Sequence, residues 1–118
     1  MDKYIEENSP FLQKTFDMMD YAYPALAQFP KSEKYAMVED IKRCMDTILE
    51  KAIEGNKKYY KKTTLRELDV AVAKLKIYVR LAHSQGFLPH KKYELWSGYI
   101  TEMGKMVGGW INSLPPTK

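Results

Sequence analysis

The residues with the clearest chemical purpose lie in one stretch, Asn56-Lys57-Lys58-Tyr59-Tyr60-Lys61-Lys62-Thr63. Four lysines flank two adjacent tyrosines there, and Arg66 follows with no acid between. Ammonium groups neutralise phosphates and release their counterions, while phenol rings offer flat faces on which bases stack. The stretch fits nucleic acid, although a lysine run kept in solvent for solubility has the same appearance. Lys76 and Arg80 make a second basic pair, four residues apart and so on one face of any helix that carries them. The candidate binding residues are therefore Lys57, Lys58, Tyr59, Tyr60, Lys61, Lys62, Arg66, Lys76 and Arg80.

Catalytic patterns are absent. The single cysteine, Cys44, falls on an apolar stripe, so it reads as a small core residue rather than a nucleophile beside a base. His83 and His90 lack zinc-ligand spacing, and no glycine-rich phosphate loop follows a strand. Glu39, Asp40, Asp46, Glu50 and Glu54 sit on the polar side of one helical pattern and read as a solvated face. The sequence predicts no enzyme, no cofactor and no metal.

Charge is unevenly spread. Residues 1–54 carry 7 Lys/Arg against 11 Asp/Glu, whereas residues 55–92 carry 10 against 2, within a net charge of +4. Such separation suits a polyanion or an acidic partner. No apolar run approaches the roughly 18 residues that span a bilayer, and the start, Met1-Asp2-Lys3-Tyr4-Ile5-Glu6-Glu7, is too polar for a leader. With one cysteine and no possible internal disulfide, the expectation is a cytoplasmic protein with no membrane role.

The elements that must position these residues are helices. Ser9-Pro10 opens the first, over 9–28, with Phe11, Leu12, Thr15, Phe16, Met19, Ala22, Tyr23 and Leu26 on one face and Pro24 opposite them. Ser32 is the expected cap of the second, over 32–54, and Gly55 its expected stop. Thr64-Leu65-Arg66-Glu67 reads as a capping box for the third, over 64–84, which Gly86 ends. The fourth covers 90–113 and closes at Leu114-Pro115-Pro116. The 118 residues form one domain, and the fold class is all-α, an antiparallel four-helix bundle.

The third helix has three faces. Leu68, Ala71, Val72, Leu75, Val79 and Ala82 make a core face, and Arg66, Asp69, Ala73, Lys76, Arg80 and His83 a polar arc. Beyond that arc lies a second apolar stripe of Val70, Ile77 and Leu81. One buried face suffices for an isolated bundle, so the stripe predicts a subunit interface; scattered surface apolar residues are the plainer alternative. On the fourth helix Ser97, Thr101, Gly104 and Gly108 form a row of small residues that admits a close helix, expected within the same chain.

Several motifs together carry a resemblance. Tyr23-Pro24, Phe29-Pro30-Lys31 with Glu33 and Tyr35, Ile41-Lys42-Arg43 and Ile53-Glu54-Gly55 resemble the four-helix-bundle family of ribosomal-RNA intervening-sequence proteins. The accessory variability determinant (Avd) of diversity-generating retroelements shares that fold. Leu75-Lys76-Ile77-Tyr78-Val79-Arg80-Leu81 and Glu102-Met103-Gly104-Lys105-Met106-Val107-Gly108-Gly109-Trp110-Ile111 look more like Avd. The resemblance implies a homopentamer that partners a reverse transcriptase and its template RNA, or DNA or an RNA–DNA hybrid, without catalysing a reaction. It assigns Lys76 and Arg80 to nucleic-acid or reverse-transcriptase contact; the lysine–tyrosine loop has no counterpart in it. Two alternatives stand beside it: an intervening-sequence-type oligomer with no nucleic-acid role, and a small ligand-binding bundle with a tyrosine- and tryptophan-lined pocket.

Overall fold

A computed structural model describes residues 9–116. The polar start, Met1 to Glu7, lies outside the described residues. Four helices appear in the expected order: α1 (Pro10–Ala27), α2 (Met37–Lys57), α3 (Lys62–Ser84) and α4 (His90–Asn112), with a 3-10 turn at Lys31–Glu33 between the first two. Each packs on its neighbours in sequence, and α1 closes the bundle against α4. Among the described residues there is no strand.

The start of α1 follows the sequence signal. Ser9 is extended, its hydroxyl oxygen accepts the Leu12 amide at 3.1 Å, and Pro10 takes the first helical position, where its missing N–H costs nothing. Pro24 lies inside the helix with its ring in solvent. The buried arc differs from the expected one. Phe16 and Tyr23 are exposed, whereas Met18 and Ala25 are buried, because α1 sits between α2 and α4 and turns the arc centred on Thr15 and Ala22 inward. The indole N–H of the wholly buried Trp96 donates to the Met18 sulfur at 3.3 Å, so a core tryptophan keeps a partner for its one polar atom.

The other expected boundaries of α2 and the start of α3 are corrected by tertiary structure. Ser32 does not cap α2. The turn after Pro30 satisfies its own amides through Glu33 N–H to Pro30 O at 2.9 Å and Lys34 N–H to Lys31 O at 3.1 Å, and the helix begins beyond Ala36. Gly55 does not stop α2, which runs on to Lys57. It is buried where a Cβ would stand 2.9 Å from both Leu65 Cδ2 and Trp110 Cη2, so the glycine serves close approach rather than a turn. The Thr64–Glu67 capping box does not form either. The chain enters α3 at Lys62, the Thr64 hydroxyl accepts from Lys58 Nζ at 3.2 Å, and Glu67 pairs with Lys51 of α2 at 3.3 Å.

At the opposite end Gly86 does end α3. With φ of 82° it donates to His83 O, and Phe87 N–H reaches Ala82 O at 2.9 Å, the paired bonds of a Schellman motif. The Cys44 thiol is buried and donates to Ala71 O at 3.4 Å across the α2–α3 seam; burial pushes its pKa up.

Two glycines on different helices should respond oppositely to alanine. Overpacking at Gly55 costs about 1–3 kcal/mol against a helix-propensity gain of about 1 kcal/mol, so Gly55→Ala lowers unfolding free energy in urea. At Gly104 a Cβ meets nothing within 4 Å, so Gly104→Ala raises it by up to about 1 kcal/mol. The Lys51 ammonium, ion-paired with Glu54 at 3.2 Å and with Glu67, holds the Glu54 carboxyl below its ordinary 4.5. A depressed carboxyl contributes its stability in full above pH 4.5 and loses it as acid protonates the group below that. Glu54→Gln should therefore flatten the acid side of the stability profile measured by pH-dependent denaturation.

Candidate nucleic-acid and assembly surface

The division of α3 into faces is borne out by burial, except that His83 of the polar arc is half-buried against Tyr93. Leu65, Leu68, Leu75, Val79 and Ala82 have no exposed surface, and Ala71 and Val72 are nearly as buried. On the far side Val70 is 67% exposed, Ile77 62% and Leu81 41%. Lys76 and Arg80 are exposed on the arc between the core and that stripe. Among the described residues neither has an ion-pair partner, so both charges face solvent undiminished. Arg66, one helical stretch earlier, is exposed as well and borders a shallow cleft with Thr63, Glu67 and Val70.

The basic block does not form one patch. Lys76 lies fourteen residues beyond Lys62 on the same helix, roughly 20 Å at 1.5 Å per residue. The α2–α3 loop stands at one end of the bundle, and Lys76 with Arg80 stand along its side. Within the loop Tyr59 and Tyr60 are each 86% exposed, with ring centroids 4.7 Å apart and planes at 87°. Lys58 is held by Glu54 at 3.5 Å, and Lys61 Nζ lies 6.0 Å from the Trp110 ring centroid. Lys57 and Lys62 are exposed.

Sequence reasoning missed what stands across from this loop. Leu114, Pro115 and Pro116 form the other wall of a cleft of about 500 Å³ with the loop lysines and tyrosines. A Pro-Pro pair after a helix reads only as a terminator, and no local signal shows which loop it will face.

The row of small residues on α4 is corrected at its glycines. At Gly104 and Gly108 a Cβ would meet nothing within 4 Å, so no helix among the described residues lies close against those two positions. Trp96, Ile100, Met103 and Val107 fill the seams instead, and side chains of that size hold neighbouring backbones at ordinary interhelical distance.

Trp96 is wholly buried, Trp110 borders a surface cleft of about 400 Å³ with Phe11 and Met106, and Tyr21 and Tyr99 border another of about 380 Å³. His83 Nε2 and His90 Nδ1 are 3.3 Å apart near Tyr93. No group of three or more His, Cys, Asp or Glu among the described residues is placed to hold a metal ion. No helix among them is long and apolar enough to cross a membrane.

No curated protein matches the chain. A family model described as bAvd-like matches residues 11–114, which takes in all four helices, the α2–α3 loop and the outer face of α3. With that match covering nearly the whole chain and an all-helical four-helix architecture beneath it, the protein belongs to the bAvd-like family.

Proposed function

We propose that this chain is a non-enzymatic accessory protein of a diversity-generating retroelement. It binds the reverse transcriptase and template RNA through its basic surface and supports mutagenic copying. Family membership supports the accessory role, and one structural observation carries the rest: an exposed apolar stripe runs beside two exposed cations on the same helix. Val70, Ile77 and Leu81 gain by being covered, and a second copy of the chain is the partner always present at matching concentration. Repetition around a homopentamer would set Lys76 and Arg80 in a ring, each pair next to a subunit boundary. A ring of like charges draws a polyanion from a distance set by the Debye length, about 8–10 Å at physiological salt.

In this reading the loop lysines and Arg66 extend the electrostatic footprint, and α1 with the acidic part of α2 faces away from nucleic acid. The contact with phosphates is general, so it suits structured RNA, DNA or a hybrid of the two.

Light scattering tests the assembly. The expected mass is five times 13.8 kDa, and Val70→Asp with Ile77→Asp should return a folded species of 13.8 kDa with unchanged helicity. A wild-type monomer at micromolar concentration would sink the assembly. Binding to structured RNA across a salt series tests the surface. Lys76→Glu with Arg80→Glu should weaken affinity by tenfold or more, and the slope of log affinity against log salt should fall by about two. A flat salt dependence in the wild type would remove the nucleic-acid role.

A further inference from the structure

We infer that the cleft between the α2–α3 loop and Leu114-Pro115-Pro116 is a stacking site for unpaired nucleotides. It rests on the nucleic-acid reading above and adds to it the form of nucleic acid, single-stranded, and the place that takes it.

Three features of the cleft point the same way. Tyr59 and Tyr60 spend their rings on solvent, each 86% exposed, in an edge-to-face pair that fixes the angle between them. Tyrosines used for packing are covered, as Tyr21 and Tyr99 largely are against one another at 5.8 Å. The facing wall is Leu114 and two prolines, apolar and stiff, with no backbone N–H on either proline. A nucleobase presents flat apolar faces, which fit between rings and such a wall without leaving a polar group stranded.

The third feature is charge. Lys58, Lys61 and Lys62 border the cleft, and among the described residues no carboxylate lines it. Lys58 is oriented from behind by Glu54 and Thr64, and Lys61 leans over the Trp110 ring. Bases between aromatic and proline surfaces with phosphates along the lysines is the arrangement that non-specific single-strand binding uses. A volume of about 500 Å³ lies within the range of built small-molecule sites and leaves no room for a duplex, whose bases are already stacked on each other. The cleft is also separate from Lys76 and Arg80, so a folded RNA can lie along the side of the bundle while its unpaired segment reaches the end.

Fluorescence anisotropy with the full chain tests this. The probes are a labelled oligouridylate, the same strand with abasic sites in place of bases, and an RNA duplex of equal length. Oligouridylate should bind roughly tenfold more tightly than the abasic strand, since stacking on aromatic rings supplies a gain of that order for each base. Tyr59→Ala with Tyr60→Ala should abolish that difference while leaving duplex binding and its salt slope unchanged. Tyr59→Phe with Tyr60→Phe, which keeps both ring faces, should preserve it and show that the loop still folds. Equal binding of intact and abasic strands overturns the inference, as does a double-alanine variant that holds oligouridylate as the wild type does. Loss of reverse-transcriptase capture by the double-alanine variant with oligouridylate binding intact assigns the cleft to a protein segment and overturns it too. Lys76→Glu with Arg80→Glu on structured RNA reports separately on the α3 surface. A tyrosine effect without a charge effect there rejects the side surface alone, and the reverse rejects the cleft alone.

Discussion

At Gly55 the backbone of α2 comes so near its neighbours that a Cβ would stand 2.9 Å from Leu65 and from Trp110. Three helices converge on that point. Leu65 begins the buried face of α3, and Trp110 lies near the end of α4, with its ring 6.2 Å from Phe11 of α1. A single missing side chain thus draws the fourth helix in through a ring contact. The convergence leaves only residues 58–61 to connect α2 with α3, which pushes Tyr59 and Tyr60 outward. Leu114 follows Trp110 by about one helical turn, so the same contact that seats the tryptophan brings the two prolines across from the loop.

The interhelical ion network belongs to this end as well. Lys51 reaches Glu54 on its own helix and Glu67 on the next, while Lys58 is shared between Glu54 and Thr64. Lys58 and Glu67 are exposed and Lys51 and Glu54 half-buried, and pairs this open to solvent contribute little energy one at a time. The wholly buried Leu65, Leu68, Leu75 and Val79 set the rotation of α3 about its own axis, and that rotation decides which residues look outward. Turned as it is, α3 presents Val70, Ile77 and Leu81 to solvent. Fully burying a side chain of that size gains about 1.5–3 kcal/mol, and the stripe leaves much of that gain unrealised within this chain, beside the exposed Lys76 and Arg80.

Periodic features were legible in the sequence, and single-residue signals often were not. The four helices, the buried placement of Cys44 and the three faces of α3 all rest on many residues repeating at 3.6, which no one contact can overturn. Ser9-Pro10 and Gly86 also read correctly, since each acts through its own backbone. Ser32, Gly55 and Thr64 carry local signals that do not decide their roles, which are set by partners distant in the chain or by a competing turn. Phe16 and Met18 traded places for a similar reason: they lie on opposite flanks of the α1 stripe, and only the packing of α2 and α4 chooses between flanks. The loop residues were identifiable by charge, but the wall of Leu114, Pro115 and Pro116 was not, because nothing local relates residue 60 to residue 115.

Cys44 closes the α2–α3 seam with its thiol bonded to Ala71 O, and it is the sole cysteine of the chain. Cys44 lies at the floor of a small surface cleft with Arg43, Thr47, Lys74 and Tyr78, and only 6% of the residue is exposed, so a soluble thiol reagent gains access as α2 and α3 separate beside it. The rate of labelling in native buffer consequently reports on that local opening, in the wild-type protein with no introduced probe. Because α3 carries the exposed stripe on its other side, whatever covers that stripe should slow the labelling from across the helix.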